Sequence, residues 1–232
     1  MSTPKVAVTT AADRIAALSA AVSRHGMEAV ELPCVEVAAF GSRNDERIRN
    51  QARQADWIVV TSARAVTYTW PDGGMPDVPV AAVGPATAAA VAAAGGRTEL
   101  VGEGGARELV GGLIDRVQNK VVVFPHARGA DPGTAMELAR AGAHVIALPV
   151  YETRPVAPAR DPVDAVMFGS PSAVEGWTRG RSLQDLVIAA VGETTASAVA
   201  RRGARTHVVA AQPDFGLLVA DLSRYLKERS PV

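Results

Sequence analysis

Residues 81–98, AAVGPATAAAVAAAGGRT, align without a gap to residues 189–206, AAVGETTASAVARRGART, with 12 of 18 positions identical. A shared alanine bias explains part of the match. It does not explain Gly84 over Gly192, Thr87 over Thr195, or Arg97-Thr98 over Arg205-Thr206. The same offset of 108 lays Asp56-Trp-Ile-Val-Val-Thr-Ser-Ala-Arg-Ala-Val on Asp164-Ala-Val-Met-Phe-Gly-Ser-Pro-Ser-Ala-Val, so a whole strand–helix–strand–helix unit occurs twice.

Working outward, a weaker repeat pairs Lys5-Val-Ala-Val with Lys120-Val-Val-Val, and Leu32-Pro-Cys-Val-Glu with Leu148-Pro-Val-Tyr-Glu. The chain therefore reads A, B, A′, B′. Ile15, Leu18 and Val22 recur at helical spacing after the first β-branched run, and Gly26 ends that helix. Further helices are expected from about Ser62, over Thr87 to Ala94, and near Arg107 to Val117, with strands at Trp57, Val80 and Thr98. Alternating strands and helices imply an α/β protein with parallel sheets covered on both faces.

Glu28 to Phe40 is an extended apolar stretch whose one turn signal is Pro33; 13 residues at about 3.3 Å each span roughly 43 Å, longer than an ordinary strand. Such a strand is expected to leave one lobe and enter the other, with Ala143 to Pro155 returning. This places residues 40–150 in an inserted α/β domain, residues 1–36 plus 158–232 in a discontinuous one, and connectors at about 32–40 and 150–158.

Lys plus Arg and Asp plus Glu are each 24, which removes any global attraction to nucleic acid or an anionic membrane. One cysteine, Cys34, allows no internal disulfide and no thiolate cluster, and suits a reducing cytoplasm. No apolar run reaches the roughly 18 residues of a membrane span, and the first residues do not read as a secretory signal. The expectation is a cytoplasmic protein with no membrane or nucleic-acid partner and no metal site.

Each B-type repeat carries a strand, a glycine and a threonine opening a helix: Val83-Gly84-Pro85-Ala86-Thr87 and Val191-Gly192-Glu193-Thr194-Thr195. A glycine there lets a ligand approach the backbone, and the first N–H groups and dipole of the helix favour an anion such as a carboxylate or phosphate. The other reading is that the threonines cap their helices. The turns Thr61-Ser62-Ala63-Arg64 and Gly169-Ser170-Pro171-Ser172 also follow strands, at the carboxyl edge where open α/β sheets bind ligands, and all four turns are expected to face one interlobe cleft. None matches a nucleotide-binding fingerprint.

Tyr151 stands out because its repeat partner is Val35; a phenol on a connector is either a proton donor or a hinge-filling tyrosine. His25, His126, His144 and His207 show no metal-ligand or triad spacing and read as surface or turn residues, His126 and Arg128 being the open cases after the Val121-Val-Val-Phe-Pro strand. Trp57, Trp70 and Trp177 read as packing residues, and Cys34 as a small buried hydrophobe.

Thr61-Ser-Ala-Arg-Ala-Val, Ala82-Val-Gly-Pro-Ala-Thr-Ala, Leu148-Pro-Val-Tyr-Glu-Thr, Phe168-Gly-Ser-Pro-Ser-Ala-Val and Ala190-Val-Gly-Glu-Thr-Thr-Ala, in that order and spacing, make the chain resemble the uroporphyrinogen-III synthase family over nearly its whole length. The resemblance implies two Rossmann/flavodoxin-like parallel-sheet lobes, related by internal duplication and joined by a two-stranded linker. It implies a hydro-lyase that takes the linear tetrapyrrole hydroxymethylbilane, expels its terminal hydroxyl as water and closes the ring with inversion of ring D, without a cofactor. By resemblance Tyr151 assists loss of the hydroxyl, and Thr194, Thr195, Thr87, Ser62, Arg64, Ser170 and Ser172, beside Gly192 and Gly84, bind the substrate's eight carboxylates. Two departures stand out: Thr10-Ala11 where many members carry Arg-Pro, and the poorly matched turn after Phe124-Pro125. Two lobes are expected to fill the 232 residues without a fused domain, and a monomer is expected. The competing readings are a two-lobed sensor binding an anionic tetrapyrrole without turnover and, last, a sugar-nucleotide transferase.

Overall fold

The computed structural model describes residues 3–103 and 105–229, with the backbone alone described at residues 42–45. In order the chain runs β1 (Lys5–Val8), α1 (Ala12–Arg24), β2 (Glu28–Glu31), β3 (Val35–Ala39), α2 (Ser42–Ala52), β4 (Trp57–Val60), α3 (Ala63–Thr69), β5 (Pro79–Ala82), α4 (Pro85–Ala93), β6 (Arg97–Val101) and α5 (Ala106–Gly111). It continues through β7 (Val121–Ala127), α6 (Gly133–Arg140), β8 (His144–Pro155), β9 (Ala165–Phe168), α7 (Pro171–Thr178), β10 (Val187–Ala190), α8 (Glu193–Ala200), β11 (Val208–Val209) and α9 (Phe215–Arg229). Two compact units result, Met1–Val37 with Thr153–Val232, and Ala38–Glu152.

In the first unit the strands order as β2-β1-β9-β10-β11, every neighbouring pair parallel. This is the flavodoxin-like order of a doubly wound sheet. Strands β9 and β10 are buried at every residue, as expected where helices cover both faces and the apolar runs are continuous. Their side chains still alternate. Val6, Val8, Met167 and Ala189 join Ile15, Leu18 and Val22 of α1 and Leu218 and Leu222 of α9. Ala7, Val166, Phe168 and Ile188 face the other way, to Trp177 of α7 and Val199 of α8. Each large side chain so buried contributes about 1.5–3 kcal/mol, and the Trp177 indole N–H finds the Ser182 carbonyl at 2.8 Å.

The second unit has the order β3-β8-β7-β4-β5-β6. Trp57 and Val59 of β4 and Val122 and Phe124 of β7 pack with Leu109 and Val110 of α5 and Leu138 of α6 on one face. Shifting the residue numbers by 108 carries β4, α3, β5 and α4 onto β9, α7, β10 and α8 with their first residues in register. The strand order β8-β7-β4-β5-β6 then has the same form as β2-β1-β9-β10-β11.

Two local expectations are corrected. The stretch 28–40 is not one strand. It breaks at Leu32-Pro33-Cys34 into β2 of the first sheet and β3 of the second, because Pro33 has no N–H to continue the ladder; Leu32 and Cys34 instead donate to Val8 O and Thr9 O, both at 3.0 Å. The return segment β8 runs unbroken for 12 residues. The helix expected to Val117 stops at Gly111, with Gly112 as its cap and a separate 3-10 turn at Ile114–Arg116, since paired glycines weaken a helix interior.

Candidate active site

In a doubly wound sheet a ligand sits at the carboxyl ends of the strands, where the strand order reverses. In the second unit that point lies between β4 and β7, the chain moving outward through β5 and β6 on one side and to β8 on the other. Ser62, at the end of β4, is the N-cap of α3 with an extended backbone, and its Oγ accepts the Arg64 N–H at 3.2 Å. The Val83 N–H donates to Val60 O at 3.0 Å, which sets the Gly84 turn beside the Ser62 turn.

Tyr151 of β8 is buried, and its phenol donates to Ser62 Oγ at 3.2 Å. Strand β7 lies between β8 and β4, and beside Tyr151 it carries Ala127, whose methyl group leaves the phenol room to reach across. Tyr68 stacks on the Tyr151 ring, with centroids 5.6 Å apart and planes 18° from parallel. Arg128, just past β7, donates its backbone N–H to Tyr151 O at 2.7 Å, pairs with Glu152 at 3.0 Å and lies over the Phe40 ring at 4.7 Å. The expected hinge phenol is thus a fixed donor within one unit. Its repeat asymmetry pointed to it, but Tyr68, Arg128 and Phe40 left no sequence signal as its surroundings, because these contacts join positions far apart in the chain.

The first unit repeats the pair of turns. Ser170 caps α7, its Oγ accepting from Ala173 N and lying 3.2 Å from Ser172 Oγ. Val191 N donates to Phe168 O at 3.0 Å and brings the Gly192 turn alongside. Gly84 and Gly192 are N-caps with φ of 177° and 176°, extended values open to any residue. A Cβ at Gly192 would meet nothing within 4 Å, and at Gly84 only Gly102 O at 3.7 Å. Neither strain nor packing accounts for glycine at these two equivalent positions.

Of the four turn threonines and serines in the first unit, Ser170 and Ser172 are brought together, while Thr195 is buried and Thr194 exposed. Thr87 is buried like Thr195, at 5% and 3% exposure. Their N–H groups already bond the Gly84 and Gly192 carbonyls, at 3.1 and 3.0 Å. The amides placed ahead of them differ between the repeats: Pro85 has no N–H, so Ala86 carries the first in α4, whereas Glu193 and Thr194 carry the first two in α8. Gly84 and Gly192 occupy the N-cap positions and Thr87 and Thr195 the third helical ones, so neither threonine is the N-cap residue of its helix.

The histidines divide. His25 and His144 are exposed as expected, but His126 is partly buried and stacked on Phe124 at 5.4 Å, and His207 accepts the Ile188 N–H on Nδ1 at 3.0 Å. Trp57, Trp70 and Trp177 are all buried. Cys34 is fully buried and burial pushes its thiol up to about 12, which leaves it neutral and unsuited as a nucleophile. Among the described residues no group of His, Cys, Asp and Glu is arranged to hold a metal, and no helix is long and apolar enough to cross a membrane.

A family model described as uroporphyrinogen-III synthase HemD matches residues 16–220. Among solved structures, the uroporphyrinogen-III synthetase of Helicobacter pylori superposes with a TM-score of 0.66 at 18% identity, covering 98% of this chain and 100% of that one. A mutant uroporphyrinogen III synthase from the extremely thermophilic bacterium Thermus thermophilus gives a TM-score of 0.59 at 20% identity, covering 97% and 100%. At these identities the structures speak to fold. No curated protein matches the sequence.

Proposed function

The chain belongs to the uroporphyrinogen-III synthase family, hydro-lyases of haem biosynthesis acting on a tetrapyrrole, and we propose that it closes hydroxymethylbilane to uroporphyrinogen III with Tyr151 as the proton donor. The observation that carries this role is the phenol held at 3.2 Å from Ser62 Oγ, at the point where the strand order of its sheet reverses. Ser62 accepts the phenol's hydrogen bond in the resting state and keeps Oη at a fixed height above the strand ends. When the substrate's terminal hydroxyl takes that proton, the C–O bond breaks, water leaves and the pyrrole nitrogens carry the positive charge. The substituted α-carbon of ring D attacks that electrophilic carbon to form a spiro intermediate; its bond to the carbon bridging rings C and D then breaks and re-forms at the free α-carbon, inverting ring D, and the proton lost there on rearomatisation returns the phenolate to phenol.

In the second unit the carboxylates of the acetate and propionate arms are met by the first amides of α4, with Arg64 near the reacting end; in the first unit the first amides of α8 and the hydroxyls of Thr194, Ser170 and Ser172 are donors of the same kind. Gly84 and Gly192 let the accepting carboxylates come close to those backbone amides. Thr87 and Thr195, being buried, support the first helical turns rather than contact the arms. Most of the rate then comes from holding one conformation of a flexible substrate, which is positioning and electrostatics more than acid strength. The same reading takes the protein to be a cytoplasmic monomer that works without a cofactor or nucleic acid.

The experiment is a coupled assay with freshly made hydroxymethylbilane and separation of the uroporphyrin isomers after oxidation. The wild type is expected to form isomer III above the no-enzyme control, and Tyr151→Phe to lose roughly 10²-fold or more in kcat, the usual worth of a placed acid. Isomer I alone would overturn the enzyme reading; a full-rate Tyr151→Phe would overturn the role given to the phenol.

A further inference from the structure

A cavity of about 650 Å³ belongs entirely to the first unit and lies away from the turns described above. Its walls are the segments before β10 and β11, with Ile188 and His207 at its floor, so it opens at the amino ends of strands whose carboxyl ends carry Ser170 and Gly192. A volume of this size is ordinary for a small-molecule site, on the order of 300–1,000 Å³.

Arg181, Arg202, Arg205 and Arg229 line it, against one carboxylate, that of Asp185. Arg181 is fixed over the Trp177 ring at 4.3 Å and donates to Ala159 O at 3.0 Å. Among the described residues Arg202, Arg205 and Arg229 form no ion pair. In a chain of formal net charge zero, four arginines against one aspartate around one concavity make a local positive field. His207 registers that field. Burial and then the charges of Arg229 and Arg205 hold its imidazole below the usual histidine range, and its Nδ1 is committed to the Ile188 N–H.

We infer that this cavity is a second binding site, for a small molecule bearing two or more oxyanion groups, gripped by the forks of Arg202, Arg205 and Arg229 with Arg181 as a fixed charge at the wall. Guanidinium forks match phosphate and carboxylate oxygens in pairs, and a ligand of one charge would leave most of the arginines facing each other uncompensated. The site is separate from the turns assigned to the tetrapyrrole and does not depend on that assignment.

The test is calorimetric titration of the full-length protein with inorganic pyrophosphate and, separately, tricarballylate, both at constant ionic strength, beside NMR titration of the His207 ring with and without saturating probe. Saturable one-site binding of either probe is expected, with the His207 pKa moving up on binding as the bound charge offsets Arg205 and Arg229. The stronger probe tells whether the natural group is a phosphate or a carboxylate. Arg202→Gln with Arg205→Gln is expected to weaken binding at least about tenfold, two charge-assisted contacts being removed, and to abolish the His207 shift. Both side chains are exposed, and an unchanged circular dichroism spectrum establishes that the variant is folded. No saturable binding to the wild type, equal affinity in the double variant, or a His207 titration unmoved by bound probe would each overturn the site.

Discussion

Tyr151 and Ser62 stand 89 positions apart in sequence, and the fold sets the phenol of the first 3.2 Å from the hydroxyl of the second. Ser62 has two partners to serve, since its oxygen also takes the Arg64 N–H that opens α3. One side chain therefore fixes both the start of a helix and the height of the proposed acid.

Ser62→Ala is expected to lower stability by about 1 kcal/mol, the ordinary value of an N-cap, and to lower the rate of isomer III formation well beyond that, because the phenol loses its acceptor. Urea unfolding and the isomer assay on one preparation separate the two effects. Ser62→Thr keeps the hydroxyl and should restore most of the activity; equal rates in Ser62→Ala and wild type would detach Ser62 from the reaction.

Gly192→Ala separates binding from folding at the other turn. The extended φ of 176° accepts alanine and its Cβ meets nothing within 4 Å, so the melting temperature should stay within about 1–2 °C, a change worth less than about 0.5 kcal/mol in a protein of this size. A methyl group at that amide would hold a carboxylate off, and KM should rise several-fold with kcat less affected. An unchanged KM would show that no ligand group comes close to this backbone.

Gly176→Ala acts on the fold alone. A Cβ at Gly176 would stand 2.0 Å from Cys34 O and 2.7 Å from Val156 O, two segments tied to each other by the Val156 N–H to Cys34 O bond at 2.9 Å. Both obstacles are backbone, so relief requires moving α7 off the segments that lead into β3 and out of β8. Destabilisation of about 3 kcal/mol, at the upper end of overpacking costs, is expected, read as a lowered urea midpoint. A neutral result would mean that the segments yield without strain.

His207 sets an acid-side loss of stability. Its folded-state pKa lies below its unfolded value, so the unfolded chain binds the proton first. The neutral-form stability is complete above the unfolded value near 6.5 and falls as the pH drops below it toward the folded pKa. Protonation would also turn Nδ1 from an acceptor into a donor facing the Ile188 N–H, loosening the bond at the base of β10. Urea midpoints at pH 7.5 and 5.5 should differ more for the wild type than for His207→Gln; equal differences would assign the acid loss to other groups.

Much of the fold is legible in the chain because the repeat and the strand-sized apolar runs are local signals. The offset of 108 that aligns Gly84 with Gly192 also aligns the first residues of four pairs of elements, and the helix stop at Gly26 is a left-handed position, φ 78°. The break at Pro33 is harder to read: the apolar run around it has the pattern of one long strand, although the missing N–H of the proline ends the ladder there. The proposed site is legible as turns and hydroxyls, and Tyr151 as an asymmetry between repeats. Its supports are not, since Tyr68, Arg128 and Phe40 carry no pattern that links them to position 151.

What the sequence determined by itself is the kind of element at each point and the pairing of equivalent elements, because periodicity, proline and glycine act within a few residues. What only the tertiary structure decided is which distant side chains meet. The Tyr151–Ser62 bond depends on strand order, on register and on the small Ala127 between them. The cluster of Arg181, Arg202, Arg205 and Arg229 depends on two loops and a helix end converging at one edge of a sheet. Such meetings follow from burying the apolar faces of all the strands and helices at once, a condition on the whole chain that no short stretch of it contains.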